Sequence, residues 1–252
     1  MKYDTPIKAT QTTFAIIEKL TEQDGMRLSE LASLLNLPKS TVHDHLATLD
    51  KLGYLSRDGD TYRVGTRFLR IGTQIQDNME LYQSSKPELN KLSNAVGEHT
   101  SLMIEENGLG VYVHTSESAN TVKVISTNGT ATKLHITAPG KAILAHLPAA
   151  RREEILDSQG LSASTTNTLV DREELEMELE SIRERGYAFD REEAVIGMRG
   201  VAAPVITRND GAIRGAISVY GPSKRTDIEE FENEVVDELL RTVNVVEVNM
   251  SY

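Results

Sequence analysis

The chain has 252 residues, 39% of them hydrophobic and 26% charged, with no Cys and a formal net charge of −11. This composition suits one large or two modest domains with packed cores; it excludes extended disorder, disulfides, thiolate nucleophiles and Cys-based zinc sites. No apolar run approaches the roughly 18 residues of a spanning helix and no signal-type segment follows Met1, so a cytoplasmic protein with no membrane partner is expected.

The charge is unevenly spread. Residues 1–75 carry ten Lys/Arg against nine Asp/Glu, a balance of +1, and the remainder carries −12. Only the N-terminal part can approach a polyanion without strong repulsion.

In chain order, residues 12–23 read TTFAIIEKLTEQ, with Phe14, Ile17 and Leu20 at helical spacing, and Asp24-Gly25 ends that helix. Ser29 reads as the N-cap of a short helix bearing Leu31, Leu34 and Leu35, closed at Asn36. Pro38 suits the first turn of a third helix, whose buried face is Val42, Leu46, Leu49 and Leu52. Two β-rich stretches then flank Arg57-Asp58-Gly59-Asp60, where the Asp-Gly pair suits a tight hairpin. Three helices and a hairpin make a winged helix-turn-helix. From about residue 66 to 96 an amphipathic helical linker is expected, broken near Pro87.

Beyond residue 97 the pattern is α+β. Hairpins are expected around Asn107-Gly108 and Asp210-Gly211, with helices over 140–147, 149–157 and 171–185. A last helix is expected to begin with the capping box Thr226-x-x-Glu229 and to bury Ile228, Phe231, Val235, Leu239 and Val243. The expected domains are 1–65 (DNA binding), 66–96 (linker) and 97–252 (sensing).

The third helix leaves Lys39, Ser40, Thr41, His43, Asp44 and Thr48 off its core face. Such a helix enters the major groove N-terminus first, where short polar side chains reach base edges; Arg57 and Arg63 on the wing would meet phosphate. Ser29 joins this DNA-facing set. The alternative is a solvated helix face used for protein contacts. His43 and His45 lie two apart and cannot share a metal, so His45 is expected to pack locally.

Three blocks resemble the IclR family of transcriptional regulators: RLSELASLLNLPKSTVHDHLATLDKLGYLSRDGDTYRVGTRFLRIG, LHITAPGKAILAHLP, and RGYAFDREEAVIGMRGVAAPVITRNDGAIRGAISVYGP. The resemblance implies a winged domain, a linker helix used in dimerisation, and a GAF/PAS-like effector domain with an antiparallel sheet. It also implies a homodimer or homotetramer on palindromic double-stranded operator DNA, modulated by a small organic acid or aromatic metabolite. Carried onto this chain, the family's ligand contacts fall on Ala138, Pro139, Asp190, Gly200, Ser218 and Tyr220. An anion near Pro139-Gly140-Lys141 would suit a helix N-terminus. Many relatives carry a basic residue in place of Asp44, which here would accept from cytosine N4 or make no base contact. Some carry a Cys or another polar residue for Gly200 and a Ser for Tyr220, which points to a remodelled pocket.

Each pocket residue also has a plainer reading. Asp190, followed by Arg191, Glu192 and Glu193, reads equally as a solvated loop run, Ser218 as a backbone-satisfying group, Tyr220 as core and Lys141 as a surface residue. An acyl-transfer triad of Ser218, His135 and Asp190 lacks a Gly-x-Ser-x-Gly elbow, so no catalytic residues are expected. His99, His114 and His135 fall singly in or beside strands, and neither a metal nor a cofactor is expected. A further reading is a metabolite-sensing module that acts through protein partners rather than DNA.

Overall fold

The structure, a computed structural model, describes residues 6–116, 128–224 and 234–250. The chain divides into two compact units, Met1–Ile75 and Gln76–Tyr252.

The first unit runs α1 (Lys8–Glu22), β1 (Met26–Arg27), α2 (Leu28–Leu34), α3 (Lys39–Lys51), β2 (Leu55–Asp58) and β3 (Thr61–Val64), with its strands in the order β1-β3-β2. Its core joins Ile16 and Leu20 of α1, Leu31 of α2, and Val42, Leu46 and Leu49 of α3 to Leu55 of the wing. The turn between α2 and α3 passes through Asn36 at φ +52°, a left-handed value that Asn tolerates better than most side chains. Four expectations shift. Leu52, expected on the buried face of α3, is its C-cap and is exposed. Arg27, not Ser29, is the N-cap of α2, because Glu30 reaches back to the Arg27 N–H at 2.8 Å. Pro38 stands just before α3 as its N-cap. The wing turns on Gly59-Asp60, one residue later than expected: Asp58 pairs with Thr61, and Gly59 takes φ +59° at the first central position.

The helical segment over 66–96 is two helices, α4 (Arg67–Asp77) and α5 (Glu80–Val96). The break lies between them, at residues 78–79, and Pro87 sits inside α5. The second helix is no separate linker. Leu81, Tyr82, Leu89 and Leu92 are core residues of the C-terminal unit, and this burial outweighs the hydrogen bond lost at proline. By contrast, α4 buries no residue, and its Leu69 and Ile75 are exposed.

The C-terminal unit is built on a six-stranded antiparallel sheet of β4 (His99–Glu106), β5 (Leu109–Ser116), β6 (Ala131–Lys133), β7 (Ala188–Arg191), β8 (Met198–Ile206) and β9 (Ile213–Pro222), in the order β6-β5-β4-β9-β8-β7. Both hairpins form, around Asn107-Gly108 and across residues 207–212. A 3-10 turn, Leu134–Ile136, leads into α6 (Ala138–His146), α7 (Ala149–Gln159) and α8 (Arg172–Arg185); α9 (Val236–Asn249) closes the chain. Leu239 and Val243 of α9 are buried, while Thr226, Ile228, Glu229 and Phe231 lie outside the described residues.

Strand alternation sorts two cores onto the two faces of the sheet. Val201, Ala203, Val205, Ile217 and Val219 pack with α5 and α9 on one side. Ala188, Ala202 and Ala216 pack with α6, α7 and α8 on the other. The second face carries the smaller side chains, so α6 comes close to the strands, and all of Ala138–Ala145 is buried. Gly140 permits the closest approach: a Cβ there would lie 2.0 Å from the Leu134 carbonyl oxygen.

Candidate functional site: an exposed helix face and a cavity

On the winged unit, Ser29, Lys39, Ser40, His43, Asp44, Thr48 and Arg57 are exposed, while Thr41 and Arg63 are half-buried. The 3.6-residue period puts Ser40, Asp44 and Ala47 in the middle of the face opposite Val42, Leu46 and Leu49. Asp44 and Thr48 also border a groove shared with Phe14 and His45. His45 packs as expected, its Nδ1 2.8 Å from Thr13 Oγ1 on α1. His43 Nδ1 lies 3.3 Å from Asp44 Oδ1.

The wing arginines are less free than the sequence suggests. Arg57 donates from Nε to the Gly59 carbonyl at 2.7 Å, lies over the Tyr62 ring and sits 3.7 Å from Asp60. Arg63 donates to the Asp24 carbonyl at 3.1 Å and sits 3.5 Å from Asp58. The hairpin therefore carries its own counter-anions.

On the α6 face of the sheet lies a cavity of about 500 Å³ whose lining includes Ala138, Pro139, Asp190, Gly200, Ser218 and Tyr220, all six of the residues singled out from the sequence. Strand register explains the convergence. Asp190 pairs with Gly200, Gly200 with Tyr220, and Tyr220 with His99, so the four lie in one row across β7, β8, β9 and β4. Gly200 opens that row: a Cβ there would come within 3.2 Å of the Tyr220 Cβ. Behind it, the Tyr220 ring stacks on His99 at 5.3 Å between centroids, and Ser218 Oγ hydrogen-bonds Ser101 Oγ at 2.7 Å.

Asp190 is no solvated loop residue. Its Oδ1 accepts from the backbone N–H of Glu193 at 2.7 Å and of Ala194 at 3.4 Å. Burial pushes its pKa up to about 6; the two N–H bonds and Lys141 oppose the rise, and the Glu193 carboxylate adds to it. Nor is Lys141 a surface residue. It is 1% exposed, and Nζ donates to both Glu193 oxygens, at 2.6 and 2.7 Å. Thr165 and Thr168 hold the same segment from outside by donating to the Glu192 and Glu193 carbonyls.

Sequence reasoning missed Tyr112, Arg199 and Met198, which also line the cavity. Tyr112 was within reach: it pairs with Met103, a residue of the α6-side core, and strand alternation alone assigns that face. Burial, then Tyr220 and Asp190, push the Tyr112 phenol above its ordinary range, against a hydrogen bond with Thr137. The helix N-terminus expected to take an anion is largely occupied. Thr137 Oγ1 accepts the Gly140 N–H at 3.1 Å, and Pro139 has none.

Ser218, His135 and Asp190 bond to different partners: Ser101, the Ser162 carbonyl, and the Glu193 and Ala194 amides respectively. Among the described residues, no three His, Asp or Glu side chains are grouped as metal ligands, and no helix is long and apolar enough to cross a membrane.

Comparison with known proteins accounts for both units. The description "IclR helix-turn-helix domain" matches residues 10–59, and "Bacterial transcriptional regulator IclR C-terminal" matches residues 73–248. The chain is 32% identical over 239 residues to the probable HTH-type transcriptional regulator ArcR of Halobacterium salinarum, covering 93% of this chain and 90% of that protein. It is 33% identical to the HTH-type transcriptional regulator BhcR of Paracoccus denitrificans, covering 87% of this chain and 79% of that one. The crystal structure of Thermotoga maritima IclR shares the fold with a TM-score of 0.85 at 26% identity, covering 97% of this chain and 99% of that chain. An IclR homologue from Microbacterium hydrocarbonoxydans, solved in complex with 4-hydroxybenzoate, has the same fold with a TM-score of 0.78 at 23% identity, covering 94% and 98%. The chain belongs to the IclR family of metabolite-responsive, DNA-binding transcriptional regulators.

Proposed function

We propose that this regulator binds a palindromic operator in the cytoplasm as a homodimer or dimer of dimers, and that a small effector in the C-terminal cavity alters that binding. Residues 1–65 supply the DNA-binding module, 66–96 the connection and 97–252 the sensor; α5 serves the connection while packed in the sensor core. In this reading Lys39, Ser40, Thr41, His43, Asp44 and Thr48 face the major groove, Ser29 supports the entry, and Arg57 and Arg63 touch phosphate. The uncovered Leu69 and Ile75 of α4 support pairing of two copies, and paired half-sites multiply the affinity of a small domain.

The observation that carries the sensing half is the cavity. Six residues from three separate stretches line one space, and about 500 Å³ suits a single-ring organic acid or aromatic metabolite. Footprinting on DNA upstream of the protein's own gene, over a salt series, tests the DNA half. A protected palindrome whose affinity changes with added metabolite, by a coupling of about 1–3 kcal/mol, is the expected result. One observation favours the other reading, a sensor acting through protein partners: Asp44 at the centre of the α3 face and Asp58 and Asp60 on the wing oppose phosphate. No protection at low salt by a folded dimer would decide for it.

A further inference from the structure

The anion-binding elements around the cavity already have partners inside the protein. Lys141 Nζ is held by both oxygens of Glu193. Arg199, on β8, lies 3.5 Å from Glu192. At the start of α6 the Gly140 N–H goes to Thr137, and Pro139 offers none. Asp190, in contrast, takes its hydrogen bonds from described residues at one oxygen, and the residue lines the cavity. Oδ1 takes the two amides, and no described residue donates to Oδ2.

The groups facing Asp190 are Tyr112 from β5, Tyr220 from β9, Arg199 from β8, Lys141 from α6 and Glu193 from the segment after β7. With its pKa pushed up to about 6, the carboxylate is mostly ionised at neutral pH. A half-buried carboxylate at the cavity wall is stabilised by a ligand that supplies a donor, whereas a ligand carboxylate adds repulsion. Two tyrosine rings, Met198 and Pro139 supply apolar walls that suit a ring.

Resting on the reading of this cavity as the effector site, we propose that the effector is a ring compound that donates a hydrogen bond from a hydroxyl or ammonium group to Asp190 Oδ2 and presents no carboxylate there. The assignment departs from the organic-acid half of the expectation and keeps the aromatic half.

The test uses benzyl alcohol, benzylamine and benzoate as matched probes on the full-length protein, with affinities from ligand-observed NMR at pH 7.5 and pH 5. At pH 7.5 the alcohol or the amine should bind at least tenfold more tightly than benzoate, and the better of the two identifies the donor. At pH 5, where Asp190 takes up a proton, that preference should shrink several-fold. Asp190→Asn should bring benzoate within about twofold of the other probes. The pH comparison on the unaltered protein stands even if the variant folds poorly. Tighter binding of benzoate at pH 7.5, or a preference unmoved by both pH and Asp190→Asn, overturns the donor assignment while leaving the cavity an effector site. Binding of none of the three overturns the assignment together with the effector-site reading.

Discussion

The recognition face of α3 and the cavity beneath α6 are held in opposite ways. The first is a row of exposed side chains on a helix whose hydrophobic half does the folding, so its chemistry is nearly independent of its stability. The second is lined by a carboxylate fixed by two amides and is backed by groups the fold itself depends on, a buried ion pair and a glycine against backbone. With the proposed reader at the surface and the proposed sensor in the core, such a regulator can change operator without refolding. It cannot change effector so cheaply.

Substitutions can break or sharpen that contrast. The largest effect is expected from Lys141→Met, which strands Glu193 as a buried charge; urea unfolding should show a loss of about 3–5 kcal/mol, with most of it recovered by adding Glu193→Leu. Gly140→Ala comes next, because the new methyl meets the Leu134 carbonyl rather than a movable side chain; a loss of about 3 kcal/mol is expected, and a loss under about 1 would mean that the turn before α6 yields easily.

On the reader, Ser40→Ala or His43→Ala should leave the unfolding curve unchanged and alter discrimination at one base pair by about 1–3 kcal/mol, measured by binding to a set of operator variants. Equal losses on specific and random DNA would remove them from base readout. Arg57→Ala and Arg63→Ala should weaken all DNA and flatten the salt slope by no more than about 0.9 each, while Asp58→Asn with Asp60→Asn should steepen it. An unchanged slope in all of these would take the wing off the phosphates.

A further effect concerns pH. The folded-state pKa of Asp190 lies above its ordinary value of 3.8, at about 6, so the native protein binds more protons than the unfolded chain between those values. Stability should therefore fall as pH rises from about 4 to about 6, and Asp190→Asn should remove that part of the slope in unfolding curves taken across the range.

Much of this contrast was legible in the sequence, because helical and strand periodicities mark cores directly. Val42, Leu46 and Leu49 specify one face of α3 and hence the opposite one. The Asp210-Gly211 signal marks the β8–β9 hairpin that lines up Gly200 with Tyr220, whereas the β7–β8 pairing that adds Asp190 carried no such turn signal. What was not legible is long-range pairing of charges. Lys141 and Glu193 are 52 residues apart, and nothing local distinguishes a buried lysine from a solvated one. The Pro87 signal also misled, since a local helix-breaker says nothing of the tertiary burial around it. The wing failed on a smaller scale: its four residues named the hairpin, but not which pair would turn or that the arginines would be bound to their own neighbours.

The Lys141–Glu193 pair also bears on how this sensor can diversify. Losing either partner alone passes through a protein destabilised by several kcal/mol, a large share of what a domain has to spare. Single-step drift is thereby barred from the ground on which Asp190 and its two amides stand. It remains open at Val195 and Met198, which touch the same cavity without carrying charge. New ligand shapes are accessible to this lineage by gradual change at those wall positions, whereas replacing the Lys141–Glu193 pair behind the cavity requires two changes at once.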